Sequence, residues 1–377
     1  MSFEEFDDIR PYNDEETSAA LKRIAGNPFF FVISKYLFPR RSALALGHKL
    51  RHISSVDEFQ NDVMVDVVRS IIDKSSEGFS FSGEENIKGR DGRFLAISNH
   101  RDIVLDPAFL EYSLHMAGEP YSRICVGNNL LSRPLVIDIM RSNRMITVNR
   151  GLSARELYES SFRLSKYIRT SVASGVPVWI AQREGRTKDG NDRTMQGVLK
   201  MLYMGGKGTF AENFGELGLV PMTYSYEYEP CDILKARETY LRTVKGSYTK
   251  KKREDLCSIL TGIKQQKGRI HLSIGKPISA EELSAAAAES GNDRYQAICR
   301  LIDSRVNAGR VLYKTNYIAA DMLAGTKENL GKEYTGADYD AFGRYVESRM
   351  RKVEKNIRGE ELRGIFLRIY ANPVLSI

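Results

Sequence analysis

The chain has 377 residues, of which 42% are hydrophobic and 28% charged. That is ordinary globular composition at a length suited to a large α/β unit with helical additions, or to two domains, and it excludes a peptide module, general disorder and a fibrous repeat. Lysines and arginines number 56 against 48 acids, a formal net charge of +8; this excess invites a polyanionic partner (nucleic acid, a phosphorylated substrate or anionic lipid) without choosing among them.

Taken in chain order, residues 1 to 16 hold seven acids and one base and lack the basic start and apolar stretch of a secretory signal, so no export is implied. Residues 17 to 56 hold seven bases and no acid. Inside this stretch Phe29, Phe30, Phe31, Val32, Ile33, Leu37 and Phe38 accompany Lys35, Arg40 and Arg41, the composition of a segment lying in a lipid interface. The apolar run is about ten residues long and interrupted by Ser34 and Lys35, too short to span a bilayer. The plainer alternative is a helix packed on the core with a solvated basic edge. His48 and His52 lie four apart with no carboxylate or cysteine ligand nearby in sequence, and they belong to that edge rather than to a zinc site.

From Ser55, with Glu58 three residues later as a capping box, residues 57 to 74 read as an amphipathic helix. Five short apolar runs follow: Phe94 to Ile97, Met145 to Val148, Val176 to Ala181, Leu219 to Tyr224 and Ile270 to Ile274. Helical stretches from Pro107 to Met116, Ala154 to Val172 and Thr194 to Met204 separate them. The alternation predicts an α/β fold with a mixed, mostly parallel sheet flanked by helices. Beyond Ile278, residues 280–290, 293–306 and 339–355 read as helices. The predicted organisation is an acidic tip and basic aromatic segment over 1–56, an α/β domain over 57–278 and a C-terminal helical cap over 279–377. Cys125, Cys231, Cys257 and Cys299 are scattered, with no C-x-x-C pair, which argues against a zinc knuckle or disulfide framework and suits a reducing cytoplasm.

There is no G-x-S-x-G elbow, Walker loop or H-E-x-x-H. Gly206-Lys207-Gly208-Thr209-Phe210-Ala211 mimics part of a dinucleotide fingerprint, but it follows a helical run rather than a strand. The informative stretch runs from Phe94 to Leu110. A strand runs out at Ser98, Asn99-His100-Arg101-Asp102 follow, and Asp106-Pro107 opens the next helix, proline being favoured at the first helical position. His100 thus sits at a strand's C-terminal end, where open α/β sheets bind ligands. A histidine there takes a proton from a nucleophile, and a nearby carboxylate fixes its tautomer and stabilises the imidazolium. The alternative is that Asp106 only caps the helix and His100 is a hydrogen-bonded loop residue. Other strand ends also carry charge: Arg150, whose fork of donors suits a phosphate, and Gln182-Arg183-Glu184-Gly185-Arg186. Pro221, inside an apolar run, marks an edge or bend.

This ordered set resembles the glycerolipid acyltransferase family, which includes lysophosphatidate and glycerol-3-phosphate acyltransferases, over about residues 90 to 280. Asn99-His100 to Asp106 looks like its N-H-x4-D motif, Arg150 like its second-motif arginine, Gln182 to Thr187 like F-P-E-G-T-R, and Val220-Pro221-Met222 like V-P-V; Gly275-Lys276-Pro277-Ile278 looks like its closing strand. The resemblance implies that His100 is a general base, that Asp106 is its partner, and that Asn99, Arg150, Glu184, Gly185 and Arg186 bind a phosphorylated lipid precursor. It implies acyl-CoA or acyl carrier protein as donor, with no metal or resident cofactor. Two departures mark a divergent branch: five residues rather than four separate His100 from the aspartate, and Arg183 replaces a proline. Offsets of five and six rotate by about 140° and 240° on a regular helix, so a turn must align the pair. Asp102 is the fallback carboxylate; Asp106 ranks ahead because the family's aspartate likewise precedes a helix.

The expected activity is acyl transfer to the hydroxyl of a glycerophosphate-type acceptor in phospholipid synthesis, at an anionic membrane surface on the cytoplasmic face and without nucleic acid. The alternatives are an N-acyltransferase making acylated amino acid lipids and a non-enzymatic membrane-surface or nucleic-acid binder.

Overall fold

The computed structural model describes residues 3–130, 133–246, 248–251 and 253–376. The extreme ends of the predicted N- and C-terminal segments, residues 1–2 and 377, lie outside them. The strands are β1 (Gly78–Ser82), β2 (Leu95–Ser98), β3 (Arg123–Gly127), β4 (Met145–Val148), β5 (Val178–Ala181), β6 (Leu219–Tyr226) and β7 (Arg269–Ile274). They form a seven-stranded sheet in the order β1-β7-β6-β2-β5-β3-β4. All neighbours pair in parallel except β6 with β7, so β7 and β1 run against the other five. The fold is α/β, as the alternation of apolar runs and helices requires.

Both faces are covered, which explains why β2, Leu-Ala-Ile-Ser, is buried at every residue and reads as a continuous run instead of an alternating one. Leu95 and Ile97 point into one core with Leu164, Tyr167 and Ile168 of the helix Ala154–Ala173 and with Ile298 and Ile302 of Asp293–Ala308. Ala96 points into the other, with Phe109, Leu110 and Leu114 of the helix Leu105–Ala117. A third cluster joins the helix Asp232–Thr243 to the C-terminal helices Lys314–Ala324, Gly336–Met350 and Glu360–Leu375. A fourth gathers the N-terminal helices Asp14–Gly26, Pro28–Leu37 and Ala43–His52.

The sequence expectation of five strands falls short by two. β1 is Gly-Phe-Ser-Phe-Ser and β3 is Arg-Ile-Cys-Val-Gly, and glycine, serine and arginine interrupt the apolar signal in both. Pro221 corrects a second expectation, for it lies in the sheet interior rather than at an edge, opposite Ile97 of β2. Its oxygen accepts from Gly275 N at 2.8 Å, one residue past the end of β7. Proline's missing donor therefore faces the point where the neighbouring strand leaves the ladder. The Gly206 to Ala211 segment joins two helices, and Thr209 caps the second through a capping box with Glu212. Among the described residues no helix is long and apolar enough to cross a membrane.

Candidate active site

β2 lies between β6 and β5, and its end carries His100. Strand alternation places Ser98 and His100 on the face that bears Trp179, and Asn99 on the opposite one. The His100 ring stands across Trp179 at 5.6 Å between centroids and 71° between planes, and Trp179 Nε1 donates to Ser98 Oγ at 2.9 Å.

Asp106 is the carboxylate that meets His100, with Nδ1 3.0 Å from Oδ2. The same oxygen accepts from the backbone N–H groups of Arg101 at 2.6 Å and Asp102 at 2.8 Å. Oδ1 accepts from the hydroxyl of Tyr226, on β6, at 2.6 Å. A carboxylate buried without exposure needs such donors to hold its charge. Burial beside this carboxylate raises the Tyr226 phenol well above its usual range, keeping it protonated as a donor.

The alignment across the departure in spacing comes from the turn, not from the helix. Leu105 is the first helical residue and Val104 its N-cap. Asp106 and Pro107 are therefore second and third in the helix rather than its opening pair; the proline still falls in the first turn, where backbone N–H groups lack intrahelical acceptors. The capping task falls to Asp102, whose Oδ1 accepts from Val104 N at 3.0 Å and Leu105 N at 2.9 Å. Asp106 is thus no cap, and Asp102 does not meet His100. Behind Asp102 lies the helix Glu254–Lys264, where a Cβ on Gly262 would fall 2.1 Å from Asp102 Oδ2. Burial lowers the nearby Lys267 ammonium to about 8, while the charge of Asp102 pulls it the other way.

Asn99 corrects an expectation of substrate contact. It is fully buried; its amide donates to Asp192 Oδ2 at 3.1 Å and Tyr224 O at 3.0 Å, and its oxygen accepts from Tyr224 N at 2.8 Å. It ties β2 to β6 and leaves no polar atom for a ligand. Asp192 gathers more than Asn99. It accepts from Arg101 Nη2 at 2.5 Å and from Thr187 Oγ1 at 2.9 Å, with Arg310 3.7 Å away. Thr187 in turn donates its N–H to the His100 carbonyl at 2.8 Å. Lys235 donates to Arg101 O and to Glu229, each at 2.6 Å.

The remaining candidates come from the neighbouring strand ends. Arg150 follows β4 and lies 3.7 Å from Glu184, with side chains 38% and 69% exposed, so both are open to a ligand. Gly127, ending β3, permits this placement, for a Cβ there would lie 3.0 Å from Arg150 Nε. Gly185 has φ +71°, a left-handed conformation that favours glycine and turns the chain between Glu184 and Arg186. Arg186 is half-buried and donates to Ser258 Oγ at 3.3 Å on the helix Glu254–Lys264. Tyr226, Trp179, Gly127 and Asp192 were not singled out in the sequence, whereas Thr187 closes the Gln182 to Thr187 motif. Asp192 follows that motif closely, but Tyr226 lies 120 residues from Asp106 and carries no local signal.

Residues 78–223 match the family model described as Acyltransferase. Over these residues the chain is similar to that family. The matched segment runs from β1 to the middle of β6 and includes His100, Asp106, Arg150, Glu184, Gly185 and Arg186. No curated protein sequence matches the chain. Among solved structures, the crystal structure of the 1-acyl-sn-glycerophosphate (LPA) acyltransferase PlsC from Thermotoga maritima is similar at 14% identity and a TM-score of 0.38, covering 78% of this chain and 95% of that one. Among the described residues the acyltransferase domain and its surroundings present no cluster of three or more His, Cys, Asp or Glu side chains able to hold a metal.

Proposed function

We propose that this acyltransferase moves a fatty acyl group from an acyl thioester, acyl-CoA or acyl carrier protein, to the hydroxyl of a glycerophosphate-type acceptor. The observation that carries the reading is the His100–Asp106 contact at the end of β2, with the ends of β5 and β4, on one side of it in the sheet, supplying Glu184 and Arg186, and Arg150. With Nδ1 turned to Asp106, the Nε2 of His100 is left to act on substrate. It takes the hydroxyl proton as the acceptor oxygen attacks the thioester carbonyl; the new C–O bond forms, the C–S bond breaks, and the thiolate leaves with the proton returned from Nε2. Asp106 stabilises the transient imidazolium. Arg150 and Arg186 hold the acceptor phosphate, and Glu184 orients Arg150 or an acceptor hydroxyl.

The helix Pro28–Leu37 supports a peripheral position at the inner, cytoplasmic face of an anionic membrane. Phe29 and Val32 on it are 65% and 67% exposed, while Leu37 at its end packs against the core that also holds Ala96 and Phe109. An apolar face open to lipid and anchored to the catalytic half of the molecule gives a fatty chain a route toward His100.

His100→Ala is expected to lower transfer of a labelled acyl group by at least about a hundredfold with folding intact by circular dichroism; unchanged turnover removes the mechanism. Offering glycerol-3-phosphate, lysophosphatidate and amino acids in parallel, with mass spectrometry of the products, decides between an oxygen and a nitrogen acceptor.

A further inference from the structure

The helix Glu254–Lys264 closes over the active site from outside the family's matched segment. Its inner residues are Ser258, which meets Arg186, and Gly262, which lies against Asp102. Its outer surface carries Leu256 and Leu260, 39% and 45% exposed, with Cys257 and Lys264 also exposed. Residues 256, 260 and 264 are spaced by four and form one stripe along a helix. Immediately before the helix, residues 242 to 253 hold six bases and no acid. Of these, Arg242 pairs with Glu238 and Lys250 with Asp255, while Lys245, Lys251 and Arg253 are exposed.

We propose that the helix Glu254–Lys264 and the basic run preceding it form a second docking surface for an anionic lipid bilayer, on the rim of the active site. Charge complementarity is the first argument: two exposed leucines beside a six-base run free of acids is an interfacial composition, apolar toward the acyl region and cationic toward headgroups. Continuity is the second. The stripe ends in Lys264, whose ammonium stands 5.2 Å from the ring centre of Tyr36, itself part-exposed on Pro28–Leu37. The two apolar surfaces therefore meet at Tyr36, and together they flank the site on the side where a membrane-borne acyl chain would enter. This continuity rests on the lipid reading of Pro28–Leu37 proposed above; the charge argument does not.

The test is sedimentation of the full chain with vesicles of phosphatidylcholine containing phosphatidylglycerol, beside pure phosphatidylcholine. Leu256→Glu with Leu260→Glu, and separately Lys245→Glu with Lys251→Glu, are each expected to lower binding to the anionic vesicles about tenfold. All four side chains are exposed and lie outside the proposed catalytic and binding machinery, so turnover on glycerol-3-phosphate with a short-chain acyl-CoA, free of vesicles, is expected to stay unchanged. That arm reads the proposed activity, and its failure is distinct from failure to bind lipid. A second readout uses Cys257, the exposed one of the four free cysteines. An environment-sensitive fluorophore there is expected to shift to the blue on adding anionic vesicles. Wild-type vesicle binding in both variants, or a fluorophore unmoved by vesicles, overturns the proposal. Weakened binding to an acyl carrier protein with vesicle binding retained overturns it in favour of an acidic protein partner.

Discussion

The two sides of the β2 end hold charge in opposite ways. On the His100 side, Asp106 is surrounded by uncharged donors, two backbone N–H groups and the Tyr226 hydroxyl, with an imidazole as the fourth. On the Asn99 side, Asp192 is compensated by the permanent cation of Arg101, with Arg310 farther off. A carboxylate held by neutral donors is left to orient the adjacent imidazole; one paired with a guanidinium faces a permanent cation. The difference sets an imidazole–carboxylate contact beside an ion-paired tether along three consecutive residues.

The largest expected break in this comparison is Asp106→Asn. Its amide would turn donors toward donors and remove the charge that stabilises the imidazolium, lowering turnover by about a hundredfold or more. Asp102→Asn is its control: asparagine caps a helix about as well as aspartate, and the loss there is expected to stay within about threefold. Equal losses in the two variants would erase the distinction between a partner of His100 and a cap.

Asp192→Asn comes next. It leaves the buried Arg101 without its nearest anion and is expected to cost about 3 kcal/mol in urea unfolding. Because Asn99, Arg101 and Thr187 all lose part of their tether, kcat is expected to fall more than KM changes. An unfolding midpoint equal to wild type would show that the network carries no strain from its removal. Tyr226→Phe is smaller, removing one hydrogen bond to a charged acceptor; a rate loss of about tenfold matches about 1.5 kcal/mol. A rate unchanged in the variant would mean that the two backbone N–H groups suffice.

Glu111 tests the same helix away from His100. Burial pushes its carboxyl up to about 7 from 4.5 despite two hydrogen bonds from Ser122. The folded state thus favours the neutral acid: the stability associated with that form is complete below pH 4.5 and is lost as pH rises to about 7. Glu111→Gln removes the dependence, so its stability relative to wild type should improve by about 3 kcal/mol between pH 4 and 8. Parallel stability curves would contradict the burial argument.

Much of this was legible in residues alone. Alternating apolar runs and helices determine the α/β class, and the end of the Phe94 to Ile97 run places His100 where a sheet binds ligands. β1 was concealed because an edge strand with no fully buried residue carries little hydrophobic signal, and β3 because Arg123 and Gly127 bound its three apolar residues. The proline in β6 misled for a related reason: whether a missing donor is harmful depends on what the neighbouring strand offers opposite it.

The choice between Asp102 and Asp106 was decided only by tertiary structure. Both stand near His100 in sequence, and neither offset aligns with it on a regular helix. The turn over residues 101 to 104 carries one carboxylate to the helix N-terminus and the other under the imidazole, and Tyr226 arrives from a distant strand to complete its shell. Local pattern determined which residue types stand at the strand end. Their roles depend on distances between side chains that only the closed sheet establishes, because a buried carboxylate is defined by its donors, and here the donors come from the turn and from β6.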